Sequence, residues 1–216
     1  MSAKEPRRMR TGTGANSLGG SFRGLARTMS VALGAALLSG CISLGEKAPD
    51  QLLTLTPAVT AAAGTGVEGD LSTALSVMEP SSPQLLAVNR VPVIVDNSSI
   101  AYLKDAVWVE RPARLLQRVL AETIRARGNR LVLADEELQY SAQTRLLGDL
   151  VSFSYDAPRS AVVARFDAVL QLPDGKVQSR QFESTVTGVA PEAQPVGQAL
   201  NQAANDIATQ VADWVN

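Results

Sequence analysis

The chain of 216 residues contains no histidine, a single cysteine, Cys41, and few aromatic residues, which make up 4% of the sequence. Without histidine it lacks the usual general base, the base of a Ser-His-Asp triad and the commonest zinc ligand. Downstream of Cys41 the sequence has no G-x-S-x-G, S-x-x-K or P-loop spacing, and the acidic run Asp135-Glu136-Glu137 is most simply a solvated turn rather than a metal site. We therefore expect no catalytic site, no cofactor and no metal, and a hydrolase built on carboxylates is disfavoured.

An apolar run over residues 29–38 follows Arg23 and Arg27 and ends in Leu38-Ser39-Gly40-Cys41. A basic segment, an apolar core of about ten residues and small residues before the cleavage point are typical of a secretory signal peptide, and the core is too short to span a bilayer. The last four residues resemble the lipobox of bacterial lipoprotein precursors. This resemblance implies a signal peptide over residues 1–40 and lipid attachment at Cys41. The alternative is an unprocessed cysteine buried in an apolar helix.

Loss of residues 1–40 would make the chain acidic. The precursor has 20 basic and 21 acidic residues, and the leader contains six of the basic ones and one of the acidic ones. The mature chain therefore carries 14 basic and 20 acidic residues, a net charge of −6. Because nucleic-acid binding needs a basic surface that neutralises many phosphates, we expect no nucleic-acid partner.

The mature chain begins with a short polar stretch, residues 41–50, which we interpret as a tether that reaches about 30 Å when fully extended. The remaining residues 51–216 suit a single domain. Residues 51–55 are a short strand candidate that stops at Pro57. Residues 58–83 are rich in Ala, Gly, Thr, Ser and Pro and show neither a helical nor a strand period, so we predict a flexible loop there, either functional or disordered.

Six further segments have the β-branched or alternating composition of strands. The first should end near Pro92, because proline cannot donate a hydrogen bond to a ladder. The last two should pair antiparallel, because the intervening Pro173-Asp174-Gly175 is typical of a hairpin turn. The predicted strands cover residues 85–92, 106–109, 130–133, 144–155, 161–172 and 176–187.

Two amphipathic helices complete the domain. Pro112 opens the first helix, where proline is favoured, and Gly128 closes it. The second begins at about Pro195 and keeps a helical spacing of apolar residues as far as Trp214. Because each helix has one apolar stripe, both should pack on a sheet. The sequence therefore predicts an α+β fold, with a mixed or antiparallel β-sheet and two amphipathic helices packed on one face.

The polar face of the first helix carries Arg111, Arg114, Arg118 and Arg125. One interpretation is a solvated face partly neutralised by Glu122. The other is a surface that meets anionic lipid headgroups or an acidic protein partner, because guanidinium groups suit phosphate and carboxylate.

Tyr102 and Trp108 lie shortly before this helix. Aromatic residues beside arginines are typical of interface hot spots, although a core tryptophan shows the same local pattern. For Trp108 both interpretations stay open, whereas Tyr102 lies in the more polar run and is favoured as a contact. The candidate residues for contact with a partner or lipid are Tyr102, Trp108, Arg114, Arg118 and Arg125.

Several motifs, by their order and spacing, resemble those of the ABC-type transport auxiliary lipoproteins. After the lipobox they are Leu53-Thr54-Leu55-Thr56-Pro57, Val88-Asn89-Arg90-Val91-Pro92, Trp108-Val109-Glu110-Arg111-Pro112 and Gly148-Asp149-Leu150-Val151-Ser152-Phe153. The resemblance implies a non-catalytic accessory component of an ABC transporter, which works with the permease, the ATPase and a protein with mammalian-cell-entry (MCE) domains. It also implies a role in moving lipids between the inner and outer membranes, with phospholipid as a candidate ligand.

A second class of function is left open, because the same tether and domain suit a structural or assembly lipoprotein that binds peptidoglycan or other envelope proteins. The residue after Cys41 is Ile42, whereas enteric bacteria retain lipoproteins with aspartate at that position in the inner membrane. By this resemblance we predict attachment to the outer membrane, with the domain facing the periplasm. Homo-oligomerisation is also left open.

Overall fold

The computed structural model describes residues 50–216, with the exception of residues 65, 129, 135–137 and 139. These residues belong to one structural unit, Ala48–Asn216. The predicted signal peptide, Cys41 and the tether as far as residue 49 lie outside the described residues, so the predictions made for them stay predictions.

The described residues form seven strands and two α-helices. The strands are β1 (Leu75–Val77), β2 (Arg90–Ile94), β3 (Ile100–Val107), β4 (Val132–Leu133), β5 (Thr144–Asp156), β6 (Ala161–Gln171) and β7 (Val177–Thr187). The helices are α1 (Pro112–Ala126) and α2 (Ala193–Val215). Neither of these helices is both long enough and apolar enough to cross a membrane.

The sheet is organised around β5, whose 13 residues are paired on both edges. β6 pairs antiparallel with one edge, and β7 pairs antiparallel with β6. The other edge is shared by two strands: β1 runs parallel to its beginning, with Leu75 opposite Thr144, and β2 runs parallel to its end, with Val93 opposite Tyr155. β4 then lies outside β1 and β3 outside β2. The result is a mixed sheet of seven strands.

Both helices pack against each other and against the sheet. The predicted apolar stripe of α1 is buried, and Leu116, Val119 and Leu120 have no exposed surface. On β6 the alternation places Phe166 in the core while Arg165 stays half-buried. The core combines both helix stripes with one face of the sheet, which confirms the predicted α+β class.

Gly148 in β5 shows why one of the sequence motifs carries glycine. A Cβ atom at this position would contact the carbonyl oxygen of Asp167 and come within 2.6 Å of the Phe166 ring. Any side chain would therefore push β5 away from its antiparallel neighbour β6, so the close approach of the two strands requires glycine.

The three long strands and the first helix agree with the predicted boundaries. β5, β6 and β7 each differ from prediction by one residue at one end, and α1 begins at Pro112 as predicted. Gly128 follows the helix with φ of 70°, a conformation that glycine adopts without steric cost. These elements are long enough for their hydrophobic period to identify them.

The prediction of a strand at residues 51–55 is wrong. Only Leu53 pairs with the sheet, through an isolated parallel bridge to Trp108. Beyond it the backbone N–H groups of Thr56 and Ala58 are bound by side chains of α2, at 2.8 Å by Asn201 Oδ1 and 2.6 Å by Asn205 Oδ1. The chain therefore leaves the sheet after one bridge and crosses the helix.

The prediction of a loop across residues 58–83 is wrong for its last third. Strand β1, Leu75–Val77, lies there, buried between β5 and β4. A strand of three residues that is buried on both faces shows no alternation, so its sequence gives no period to detect. The flexibility predicted for the rest of the segment stays a prediction.

The first predicted strand does not end at Pro92, since β2 runs from Arg90 to Ile94 with the proline inside it. The register between β2 and β3 shifts between Arg90 and Pro92, and the pairing of β2 with β5 starts only at Val93. Pro92 therefore sits at an irregularity in the ladder, which is where a strand tolerates a residue that cannot donate.

Candidate functional site

The first two turns of α1 bring two arginines to one carboxylate. Pro112 occupies the start of the helix, and Glu110 lies just before it. Arg118 donates from Nη2 to both oxygens of Glu110 at 2.8 Å, and Arg114 Nε lies 3.3 Å from the same carboxylate. Because residues four apart on a helix are neighbours, the spacing of the two arginines lets both reach Glu110.

The remaining arginines of this helix surface are also paired with acids. Arg111 lies 3.0 Å from Glu79, and Arg125 pairs with Glu122 one turn away. Among the described residues, these four arginines, which we call the arginine face, are paired with the carboxylates of Glu79, Glu110 and Glu122. The partial neutralisation by Glu122 that the sequence predicted is present, and Glu79 and Glu110 add to it.

The ion pairs of the arginine face are weak and exchangeable. The four arginine side chains are 38–54% exposed, and water screens an exposed pair so that it typically contributes no more than about 1 kcal/mol. An incoming phosphate or carboxylate can therefore replace these acids at little cost. The arrangement suits a binding surface of mixed charge rather than a purely basic one.

Trp108 is a core residue and does not form part of an exposed contact surface. Its side chain is 1% exposed and its ring lies 5.7 Å from the ring of Phe153, centroid to centroid. The strand alternation explains this position, because the neighbouring Ala106 is also fully buried while Val109 is exposed. Of the two interpretations that the sequence left open for Trp108, the structure therefore favours the core residue over the partner contact.

Tyr102 is 36% exposed and stacks with an arginine that the sequence analysis did not single out. The guanidinium carbon of Arg90 lies 4.9 Å from the centre of the Tyr102 ring, within the range of a cation–π contact. The residues meet because β2 and β3 form a hairpin in which Tyr102 lies opposite Pro92. In the described part of the chain, Tyr102 is thus brought to Arg90 and makes no ring contact with the arginine face.

The segment that leads from the tether into the domain is held across the helices. Besides the bonds from Asn201 and Asn205 to its backbone N–H groups, Asn205 Nδ2 donates to Thr56 O at 2.9 Å. Further on, the N–H of Ala61 donates to Glu122 Oε1 at 2.9 Å. The side chain of Leu53 lies on Gly197 of α2, where a Cβ atom would come within 2.6 Å of it. The point at which the tether joins the domain is therefore fixed.

Two acids face each other on the sheet surface that the helices leave open. Asp149 on β5 lies directly opposite Asp167 on β6. The hydroxyl of Ser81 donates to Asp149, and Gln181 Nε2 donates to Asp167 at 2.8 Å. In the ranges that the structure describes, no three acidic, histidine or cysteine side chains come together as metal ligands. Each of the two acids thus accepts a hydrogen bond from a neutral side chain, and we assign the pair no catalytic role.

Sequence reasoning missed Arg90, Glu79 and Glu110 as members of these surfaces. Arg90 could have been found, because two β-branched runs flank the polar residues 96–99 and together indicate a hairpin that returns Tyr102 towards it. Glu79 lies 32 positions before its partner Arg111, and no local pattern predicts a pair at that separation. Cys41, the predicted lipid attachment site, lies outside the described residues.

Comparison with known proteins identifies the class to which this fold belongs. Residues 52–212 match the family described as the ABC-type transport auxiliary lipoprotein component, and the chain belongs to this family. The resemblance drawn from the motifs is confirmed. The family is one of lipoproteins that assist ABC-type transport, which puts the chain at a membrane and beside an ABC transporter, and it is not a known enzyme family.

Solved structures support the same fold. A Xanthomonas campestris protein, XCC0632, has a TM-score of 0.61 to this chain at 21% identity, with 76% of this chain and 94% of that protein covered. An uncharacterized protein has a TM-score of 0.60 at 14% identity, covering 77% of this chain and all of the other. At these identities the likeness shows the fold alone. No curated protein matches the chain in sequence.

Proposed function

We propose that the chain is the lipid-anchored periplasmic accessory component of an ABC transporter with an MCE-domain partner, and that it helps to move lipids across the envelope by binding protein or lipid. The observation that carries the proposal is the family match, which covers almost the whole folded domain. The absence of histidine from the sequence agrees with a binding role rather than a catalytic one.

The proposal is tested by pull-down from solubilised envelopes with a tag placed after Asn216, at the exposed end of the chain. The permease, the ATPase and an MCE-domain protein should be recovered with the tagged chain. Recovery of peptidoglycan-associated or other envelope proteins, without any transporter subunit, would favour the structural or assembly function instead.

The acyl chains on Cys41 should hold the protein in the outer membrane with its domain in the periplasm. We expect sucrose-gradient centrifugation to recover the parent protein with outer membranes, and Ile42→Asp, which introduces the inner-membrane retention residue, to shift it to the inner membrane. This variant leaves the lipobox and the domain unchanged. Recovery of the parent protein with inner membranes would contradict the outer-membrane proposal.

The arginine face is the proposed docking surface for the protein partner, through Arg114, Arg118 and Arg125. The double variant Arg114→Glu/Arg118→Glu places two new carboxylates beside Glu110 and should repel an acidic partner. We expect the pull-down of the partner to fall by at least tenfold. The melting temperature should change by only a few degrees, because exposed substitutions usually cost about 0.5 kcal/mol or less.

A matched control is available on β6 and in the turn before it. The side chains of Arg159 and Arg165 are 58% and 39% exposed, and they are also paired with acids, Asp156 and Glu183 respectively. The variant Arg159→Glu/Arg165→Glu therefore makes the same change in net charge and breaks the same kind of ion pairs. If both double variants retain the partner as the parent does, the arginine face is a solvated surface and the partner binds elsewhere.

A further inference from the structure

The β2–β3 hairpin presents an apolar surface on the side of the sheet that faces away from the helices. Register pairs Arg90 with Val107 and Ile94 with Ile100, and residues opposite each other on antiparallel strands share a face. At the alternate positions, Val91 belongs to the hydrophobic core and Leu103 packs against it, so those positions face the core. Ile100, 53% exposed, therefore lies on the same open face as Tyr102 and Arg90.

Two further apolar residues join this surface where the tether enters the domain. Leu53 and Trp108 are bridge partners whose side chains face the core and α2. By alternation, Leu52 and Val109 point to the opposite, open side, and they are 53% and 43% exposed. We call this surface the anchor-side patch and define it as Leu52, Arg90, Ile100, Tyr102 and Val109.

The composition of the anchor-side patch matches the membrane–water interface. Aliphatic side chains can enter the acyl region, tyrosine is enriched at the level of the headgroups, and arginine binds their phosphates. In the described part of the chain, the guanidinium of Arg90 has a ring contact with Tyr102 and no acidic partner. It thus differs from every member of the arginine face, each of which pairs with an acid.

The position of the lipid anchor indicates that the anchor-side patch contacts a membrane. Only ten residues, 42–51, separate Cys41 from Leu52, so the chain can place Leu52 no farther than about 35 Å from the anchor. The backbone bonds from Leu53 N–H to Val107 O at 2.7 Å and from Val109 N–H to Leu53 O at 2.9 Å fix the end of this tether beside the patch. A membrane held that close raises the effective concentration of lipid at the patch, so even a surface with low affinity for lipid can bind the membrane.

We propose that the anchor-side patch lies on the phospholipid bilayer that carries the acylated Cys41. This inference rests on the lipid anchor of the proposed function and adds the orientation of the domain. The arginine face belongs to the helix layer on the other side of the sheet, so docking of the patch directs the arginine face away from the membrane and into the periplasm. The membrane and the transporter partner are then bound on opposite sides of one domain.

The orientation is measurable with single nitroxide labels on the mature lipoprotein in vesicles of phosphatidylethanolamine and phosphatidylglycerol. Cys41 is the only cysteine, so acylation leaves an introduced cysteine as the only free thiol. The test positions are Ile100→Cys and Val109→Cys. On vesicle binding, the collision rate of the label with a water-soluble nickel chelate should fall several-fold while its collision rate with oxygen rises.

The control is Val59→Cys, which is 49% exposed and nearer to the anchor in sequence than either test position. It adjoins Ala58, which is bound to α2, so it lies over the helix layer and its label should stay accessible to the nickel chelate. If the labels at Ile100 and Val109 remain as accessible to the nickel chelate as the control label, the proposal that the patch lies on the bilayer is wrong. Labels shielded from both reagents would also overturn it, because they would report a protein contact. A parent protein that does not float with vesicles would contradict the anchor itself, and the patch with it.

Discussion

Cys41→Ser should leave the protein as an uncleaved precursor that no longer carries lipid. Acyl transfer needs the thiol, and in lipoprotein precursors that transfer precedes cleavage, so the serine variant loses both steps. Immunoblotting should show a band larger than the mature chain by the 40 leader residues. Metabolic labelling with tritiated palmitate should mark the parent and not the variant.

The effect on membrane attachment should be large. Each buried methylene contributes about 0.8 kcal/mol, so two or three acyl chains make attachment effectively irreversible, whereas one chain alone binds reversibly. The control is Ser43→Ala, which changes a residue just beyond the anchor and should be processed and lipidated as the parent is. Normal cleavage and palmitate incorporation in Cys41→Ser would show that the cysteine is not the attachment site.

The sequence predicts long elements well because their burial pattern repeats. In β6 the residues from Ala164 to Leu170 alternate between buried and half-buried for seven positions, and α1 repeats its apolar stripe for four turns. Each repeat supports the same period, so the type and limits of the element are determined locally. β1 has three residues and no exposed side chain, so only its partners β4 and β5 define it.

The candidate surfaces could be predicted only in part, because their geometry depends on contacts between distant residues. The face of α1 that carries the arginines follows from helical spacing, and its solvent exposure agrees with that prediction. The acids that pair with these arginines cannot be predicted from helical spacing, because Glu79 contacts Arg111 from the segment after β1. Whether Trp108 is core or surface depends on the register of β3, which an irregularity near Asp105, with φ of 58°, sets.

The helix α2 connects the tether to the core. Its Asn201 and Asn205 hold the segment after Leu53, while its opposite side buries Val196, Leu200 and Ile207 completely. The position of the tether relative to the sheet thus depends on a helix at the far end of the sequence. A variant that removes the end of this helix should therefore affect the whole domain.

Deleting residues 203–216 should unfold the domain rather than shorten it. The deleted segment contains Ile207, Val211 and Val215, which are 0–7% exposed, and burial of such a side chain contributes about 1.5–3 kcal/mol. These three alone contribute about 5–9 kcal/mol, which is comparable with the whole stability of a typical domain, about 5–15 kcal/mol. The rest of α2 would be a short isolated helix, which is marginal in water.

The deletion also removes polar and aromatic contacts that fasten the helix end. Arg130 Nη2 donates to Val215 O at 2.9 Å, and the partial burial of this guanidinium lowers its pKa. The deletion removes the acceptor, and a partly buried donor that is left without an acceptor costs stability. Trp214 packs on Phe182 of β7 with ring centroids 5.6 Å apart. Without it, Phe182, which is 2% exposed, would face water.

Circular dichroism at increasing temperature measures the outcome. The parent should melt in one cooperative transition, and the truncated chain should show none. Deletion of Asn216 alone is the control, because it removes one exposed residue and one hydrogen bond to Ala212 O and should melt as the parent does. A truncated chain that keeps the cooperative transition of the parent would show that the last three turns of α2 are peripheral to the core, contrary to the burial of Ile207 and Val211.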